Sequence, residues 1–430
     1  MLSALIGFVI AFVFIFLRVP ISVSLALTGF GGLVLISGWT PAMSTLVMSI
    51  KSSTMTYSLS VLPLFVLMGN LVAGAGISGN LFRAAQVFVG RQRGGLAMGT
   101  ILACGGFGAI CGSSAATAAT MSRVAIPSMR ALGYSDRLSA ATLAAGGTLG
   151  ILIPPSVIMV IYGVSTQTHI GKLFAAGILP GVIGILFYIA AVKWTVWRDP
   201  SSAPLGDESN WDEKFASLKG LWPVIVLFGL VMGGIYGGWF TATEAAGIGA
   251  AGSLAFALTN KSLKLKDIVA IMEDTALVST AMIAILFGAS MFVEFINLSG
   301  IHKGLAVLVN NANLSPFGVV LIIIGIYVVL GCLLESISMI LITVPIFFPV
   351  ITALGYDPVW FGIIVVVATE IGLITPPIGV NLFVIRSIAP DISMKTIISG
   401  MGPFITVDLI RILLLAGIPT LSLWLPNLLF

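Results

Sequence analysis

The sequence predicts an all-α polytopic membrane protein. It forms one membrane domain over residues 1–430, built from two inverted-topology repeats, each with a re-entrant hairpin and a helix broken at a Pro-Pro pair. Three observations carry this expectation. The chain is 58% apolar and 8% charged, where soluble domains carry about 25% charged residues, so no soluble core could absorb its apolar surface. Its mean hydropathy is +1.14, and its apolar stretches are continuous rather than alternating, which argues against a closed β-barrel. The third observation is a proline-broken apolar motif that occurs twice at a fixed distance along the chain. The 49 glycines fit the close approach of membrane helices.

Residues 2–17 are apolar with no basic residue ahead of them, and Arg18 follows the run. A signal peptide needs a positive n-region, so this segment reads as a retained helix with its N-terminus outside. Further spans are expected at 20–37, 57–76, 136–168, 173–194, 220–240, 242–259, 275–297, 357–385 and 403–424. With that orientation, the basic clusters Arg18, Arg83/Arg91/Arg93, Arg130/Arg137, Arg198/Lys214/Lys219, Lys261/Lys264/Lys266 and Arg386/Lys395 all become cytoplasmic, and the C-terminus lies outside. Lys51, Lys172 and Lys303 are isolated exceptions. The polar stretch RDPSSAPLGDESNWDEKFASL (198–218) reads as a solvated cytoplasmic linker. The formal charge of +4 suits such loops and is no sign of nucleic-acid binding. The three cysteines, Cys104, Cys111 and Cys332, have no metal-ligand spacing and suggest no disulfide framework.

Two segments read as hairpins rather than full crossings. Residues 94–133 centre on GSSAATAAT (112–120), and residues 316–354 centre on LGCLLESIS (330–338). Their flanks are short for a crossing of about 20 residues. The domain therefore divides into N-terminal scaffold helices (1–56), repeat 1 (57–195, with hairpin 94–133 and broken helix 136–168) and a cytoplasmic linker (196–219). Scaffold helices (220–274) and repeat 2 (275–425, with hairpin 316–354 and broken helix 357–385) complete it.

The repeat is explicit. GILIPPSVIM (150–159) matches GLITPPIGVN (372–381), and the offset is 376 − 154 = 222. At that offset Gly150 matches Gly372, Pro127 matches Pro349, Ser114 matches Ser336, and Ala131-Leu132-Gly133-Tyr134 matches Ala353-Leu354-Gly355-Tyr356. The spans between the copies place one hairpin inside and the other outside. Inverted repeats with broken helices are the architecture of secondary transporters.

Prolines cannot donate to the carbonyl four residues back. Pro154 and Pro155 are thus expected to free the carbonyls of Gly150 and Ile151, and Pro376 and Pro377 those of Gly372 and Leu373. In hydrocarbon each unpaired carbonyl costs several kcal/mol unless it lines a cavity or binds a cation. Two sodium sites are expected. The first would use Ser113, Ser114, Thr117, Gly147, Thr148 and Gly150, and the second Glu335, Ser336, Ser338, Gly372, Thr375 and Asn381. Half-helix N-termini carry positive dipole ends, which suit a small organic anion between these sites. Its candidate contacts are Ser114, Arg123, Pro154, Pro155, Ser156, Ser336, Pro376, Pro377 and Asn381. Glu370 precedes the second break. Asp408 and Arg411, at i and i+3, are expected to neutralise each other. Glu244 and Glu294 lie near span ends, and His169 and His302 in outer loops receive no role.

Some patterns exclude other chemistry. GAGISG (74–79) and GIGAAG (247–252) match GxGxxG but neither sits between a strand and a helix, and GxxxxGK[ST] is absent, so no ATP site is expected. HExxH and GxSxG are absent too.

GSSAATAAT, GTLGILIPPSVIMVIYG (147–163), LGCLLESISMILITVPIFFP (330–349), EIGLITPPIGVNLFVI (370–385) and SLWLP (422–426) together resemble the large membrane subunit of tripartite ATP-independent periplasmic (TRAP) transporters. Thr117, and Glu370 ahead of GLITPP, resemble the C4-dicarboxylate branch. The resemblance runs essentially end to end. It implies a sodium-driven importer of an organic acid in a bacterial inner membrane, an elevator-type fold in which hairpins and broken helices move against a scaffold, a separate small membrane subunit, and a periplasmic substrate-binding protein. It leaves open carboxylates, sulfonates or sialic acid as cargo. Two other readings are a self-sufficient sodium/anion symporter of similar fold and, from another class, an intramembrane enzyme, for which no acid/base or metal cluster is evident. The chain is accordingly expected not to be an enzyme.

Overall fold

The computed structural model describes residues 2–89, 92–206, 210–260, 262–301, 304 and 315–430, and the regular elements among them are all helical. Arg91, Lys261, His302, Lys303 and the linker centre at 207–209 lie outside the described residues.

Helices α1 (Leu2–Phe16) and α2 (Ile21–Ser37) pack with the 34-residue α14 (Leu265–Leu298). Glycine sets their spacing. A Cβ on Gly29 would lie 2.6 Å from the Met291 backbone, and one on Gly288 would lie 2.2 Å from the Ser22 carbonyl oxygen. Helix α3 (Trp39–Met55) follows where no element was expected. Its Ser, Thr and Lys residues dilute the apolar signal, yet Thr45 and Thr54 return their hydroxyls to the carbonyls of Pro41 (3.0 Å) and Ile50 (2.8 Å). Back-bonding of this kind lets short polar residues sit inside a helix.

Repeat 1 begins with α4 (Val61–Gly74), which does not end as a simple span but bends by 66° into α5 (Ile77–Val89). Gly76, at φ +76°, makes the corner. The first hairpin is α6 (Gly95–Cys111) and α7 (Ser114–Ala131). The first broken helix is α8 (Asp136–Thr148), a 3₁₀ turn (Leu149–Ile151), the Pro-Pro pair and α9 (Val157–Thr166), followed by α10 (Ile170–Arg198). The linker is partly helical: after a 3₁₀ turn at Pro200–Ser202, α11 (Trp211–Lys219) starts where the Asn210 side chain accepts from Trp211 N at 3.0 Å.

Next come α12 (Trp222–Tyr236) and α13 (Ala242–Thr259), the latter opened by a capping box between Thr241 and Glu244. Helix α14 starts ten residues before the expected span at 275 (275 − 265). The second hairpin is α15 (Pro316–Gly331) and α16 (Ser336–Ala353), and the second broken helix is α17 (Pro358–Ile374) and α18 (Val380–Ile388). The chain ends with α19 (Met394–Gly400), α20 (Gly402–Gly417) and α21 (Thr420–Leu429), so the span expected at 403–424 is interrupted at Ile418-Pro419.

Ten single full-length spans are not what forms. Among the described residues α10, α14 and α16 are each long and apolar enough to cross a bilayer, and three bent pairs qualify together. Other apolar helices have 10–17 residues, because glycine and proline interrupt the hydrophobic runs. Each hairpin packs against the break of its own repeat. Its returning arm also packs on the other repeat, α7 on α18 and α16 on α9.

The glycine contacts give a direct expectation. Gly288→Ala should lower the melting temperature of detergent-solubilised protein, at an overpacking cost of about 1–3 kcal/mol. Gly233→Ala, where an added Cβ meets nothing within 4 Å, should leave it unchanged in the same fluorescence-detected assay.

Candidate functional site

Each break is held by the tip of the hairpin beside it. Gly112 turns the first hairpin at φ +65°, and a Cβ there would lie 3.0 Å from the Pro155 carbonyl oxygen. Gly108 meets Gly150 so closely that a Cβ on Gly108 would be 2.6 Å from the Gly150 Cα. In the second repeat a Cβ on Gly372 would be 2.4 Å from the Gly331 Cα, and Gly379 N–H donates to the Cys332 carbonyl at 3.3 Å. Both Pro-Pro bonds, Pro154-Pro155 and Pro376-Pro377, are cis.

The four tips and breaks enclose a cavity of about 70 Å³. Ser113, Ser114, Glu335, Ser336 and Asn381 supply its polar lining, and Met282 of α14 reaches it from the scaffold. The N-terminal residues of α7, α9, α16 and α18 all line this space. Four helix N-termini therefore converge on one point, each with free backbone donors and a positive dipole end. Ser113, Ser156 and Glu335 cap three of them through side-chain acceptors.

The expected sodium ligands divide unevenly. Thr117 Oγ1 is fully buried and has no oxygen or nitrogen partner; its polar neighbour is the Cys111 thiol. A Cβ on Gly150 would come within 2.7 Å of that hydroxyl and 2.9 Å of the Ser113 carbonyl oxygen. A hydroxyl and a carbonyl oxygen closely packed around a glycine are the kind of oxygen donors that hard cations take.

Ser114 departs from its expected grouping. Its hydroxyl pairs with the Asn381 side chain (Oγ to Nδ2 2.8 Å, to Oδ1 3.0 Å), and Asn381 Nδ2 also donates to the Ala144 carbonyl at 3.0 Å. The pair thus bridges the two repeats. Gly147 serves packing, since a Cβ there would lie 2.7 Å from Ala118 Cβ.

In the second group, Glu335 Oε2 accepts from Ile337 N (3.1 Å) and Ser338 N (3.4 Å), so the carboxylate caps α16 at the cavity edge. Ser338 Oγ lies 3.5 Å from the same oxygen. Thr375 donates its hydroxyl back to Ile371 at 2.5 Å.

Three expectations need correction. The Ile151 carbonyl is not free: Ser156 Oγ donates to it at 2.6 Å, replacing the lost backbone donor. The Gly372 carbonyl accepts from Thr375 N at 3.2 Å, because the chain tightens before its prolines. Arg123 sits on an exposed face of α7 and does not line the cavity. Of the prolines, Pro154 and Pro155 are buried, Pro376 is half-buried and Pro377 is exposed.

Thr148 belongs elsewhere. Its hydroxyl lies 2.7 Å from Ala145 O and 3.0 Å from Tyr188 Oη, and with the Tyr188 proton directed to Asp408 its one proton serves either of these acceptors at a time. Tyr188 donates to Asp408 Oδ2 at 2.6 Å, Asp408 lies 2.8 Å from Arg411, and Arg411 pairs with Glu370. The i, i+3 pair anticipated between Asp408 and Arg411 is present, and Glu370 joins it. The Thr148, Tyr188, Glu370, Asp408 and Arg411 side chains are all at 0% exposure. Sequence reading missed this assembly, whose members come from four helices.

Arg411→Ala should cost about 3–5 kcal/mol, since it leaves two carboxylates buried without their cation. The expected readout is loss of monodisperse protein on size exclusion. The double change Arg411→Met with Glu370→Gln should recover part of the loss.

Residues 8–421 match the family model described as "Tripartite ATP-independent periplasmic transporter, DctM component". The chain is 35% identical to the C4-dicarboxylate TRAP transporter large permease protein DctM of Pseudomonas aeruginosa, over 86% of each protein. It is 32% identical to the ectoine TRAP transporter large permease protein TeaC of Halomonas elongata, over 96% of each. Its fold is similar to that of the Alcanivorax borkumensis YdaH transporter, with a TM-score of 0.65 at 16% identity and 90% of each chain covered. The relatives are transport permeases rather than enzymes. On the length of this match and the identity to full-length permeases, the chain belongs to the DctM component family of tripartite ATP-independent periplasmic transporters.

Proposed function

We propose that this permease imports a small organic acid anion across a bacterial inner membrane together with sodium ions. The observation that carries the reading is the convergence of four helix N-termini on a cavity lined by Ser114, Ser336 and Asn381. Positive dipole ends and free N–H groups favour a carboxylate or sulfonate. Glu335 at the same cavity opposes an anion, so a cation beside it is needed before the anion can settle. The buried Thr117 hydroxyl supplies a second cation position. In this reading sodium is cargo, and its binding at the tips prepares the charge balance for the anion.

The space between the tips is narrow, about 70 Å³. A four-carbon dicarboxylate needs the tips to part, which supports an alternating-access cycle of elevator type. In that cycle the hairpins and broken helices move against the glycine-packed α1, α2 and α14. The names of the relatives favour a C4-dicarboxylate, with ectoine-like cargo as the alternative. Family membership supports a small membrane subunit and a periplasmic substrate-binding protein as partners, and the basic loops support periplasmic termini.

Liposomes holding this chain with its small subunit, supplied with binding protein and labelled succinate, test the reading. Uptake should rise steeply with an inward sodium gradient. Thr117→Val should raise half-saturating sodium about tenfold, a loss of about 1.4 kcal/mol, while Thr117→Ser stays near the unmodified value. Proton-driven uptake indifferent to sodium would refute sodium coupling, and uptake by this chain alone would refute the tripartite arrangement.

A further inference from the structure

The buried polar chain Thr148–Tyr188–Asp408–Arg411–Glu370 has its ends beside the two breaks. Thr148 is the last residue of α8, directly ahead of the 3₁₀ turn whose Gly150 backs the Thr117 hydroxyl. Glu370 lies two residues before Gly372, which packs on the second hairpin at Gly331. Between these ends run a hydroxyl contact from Thr148 to Tyr188 of α10, a hydrogen bond from Tyr188 to Asp408 of α20, and ion pairs from Arg411 of α20 to Asp408 and Glu370, the Asp408 oxygen that faces Arg411 making no hydrogen bond.

The fold makes room for this chain. A Cβ on Gly184 of α10 would lie 2.1 Å from Arg411 Nη1, so only glycine admits the guanidinium there. The Arg411 guanidinium also lies over the Tyr188 ring, 5.6 Å from its centroid. The chain is not saturated, however. Arg411 Nε and Nη1 and Glu370 Oε1 make no hydrogen bond. Spare donors and acceptors within one dry cluster allow a second pairing of the same groups, and a two-arrangement element is what coupling between distant sites requires.

We propose that Tyr188 is a positioning residue in a relay that makes cation binding at one break sensitive to cation binding at the other. This rests on the sodium reading of the preceding subsection. When the α8 break tightens on a cation, Thr148 shifts against Tyr188, Asp408 follows, and Arg411 redistributes its hold on Glu370 ahead of the second break. Asp408 and Glu370 are the carboxylates facing Arg411, and Tyr188 is the polar side chain between them and Thr148.

The test is sodium titration of the purified chain in lipid nanodiscs, with choline chloride holding ionic strength constant and intrinsic tryptophan fluorescence as the signal. Two coupled sites give a Hill coefficient approaching about 2, and uncoupled sites give about 1. The unmodified chain should show the higher value, and Tyr188→Phe, which removes one oxygen, should fall to the lower. Thr148→Val should fall likewise and Thr148→Ser should restore the higher value; this pair decides the matter if Tyr188→Phe does not fold. A merely structural tie would lower the melting temperature and leave the coefficient unchanged. Tyr188→Phe or Thr148→Val retaining the unmodified coefficient overturns the relay, as does an unmodified chain that binds sodium with a coefficient of 1. No sodium response at all in the unmodified chain refutes the sodium reading itself, and the relay falls with it.

Discussion

The constraint on which the rest depends is the unpaired backbone at two proline pairs inside an apolar fold. A dry, apolar interior offers no water to satisfy those groups, so the protein must bring its own partners. It does so partly within the break and partly by folding a hairpin tip against each break. Cys332 takes the Gly379 N–H, Ser156 takes the Ile151 carbonyl, and Gly112 seats its turn against Pro155. Satisfying the breaks in this way draws four helix N-termini to one point, so the polar cavity follows from the same requirement that makes the breaks tolerable.

The two halves solve the problem differently, and the differences fall on polar residues that line the cavity between the tips. At the repeat offset, Ser113 stands opposite Glu335 and Met159 opposite Asn381 (335 − 222 and 381 − 222). The first break is dry, with Pro154 and Pro155 buried, whereas Pro377 in the second is exposed. The Ser114–Asn381 pair then ties the first tip to the second broken helix, so movement of the first hairpin disturbs the second repeat.

Much of this was legible in the chain. A fixed offset of 222 residues located both hairpins and both breaks, because backbone geometry at Gly and Pro is set locally. The residues that fill the tips were legible for the same reason, since Ser and Glu before a helix cap it. Which carbonyl stays free was not, because a hydroxyl from Ser156 replaced the missing N–H within the same turn. Thr148 was read as a ligand from its place beside the break. Its hydroxyl turns instead to Tyr188, 40 residues away, and no spacing rule anticipates that. Glu370 and Arg411 are 41 residues apart and meet only because α17 packs on α20. Met282 lies in the apolar middle of a long helix that offers no local sign of which face meets the cavity.

The central claim is that cargo sits where the two tips meet the two breaks. The most direct measurement is an experimental density map of the permease with its small subunit in sodium and saturating succinate. The account predicts ligand density among Ser114, Ser336 and Asn381, with a cation feature beside Thr117. Succinate density elsewhere, for example in the larger cavity lined by Arg137, Trp194 and Arg198, with the tips empty, would contradict it.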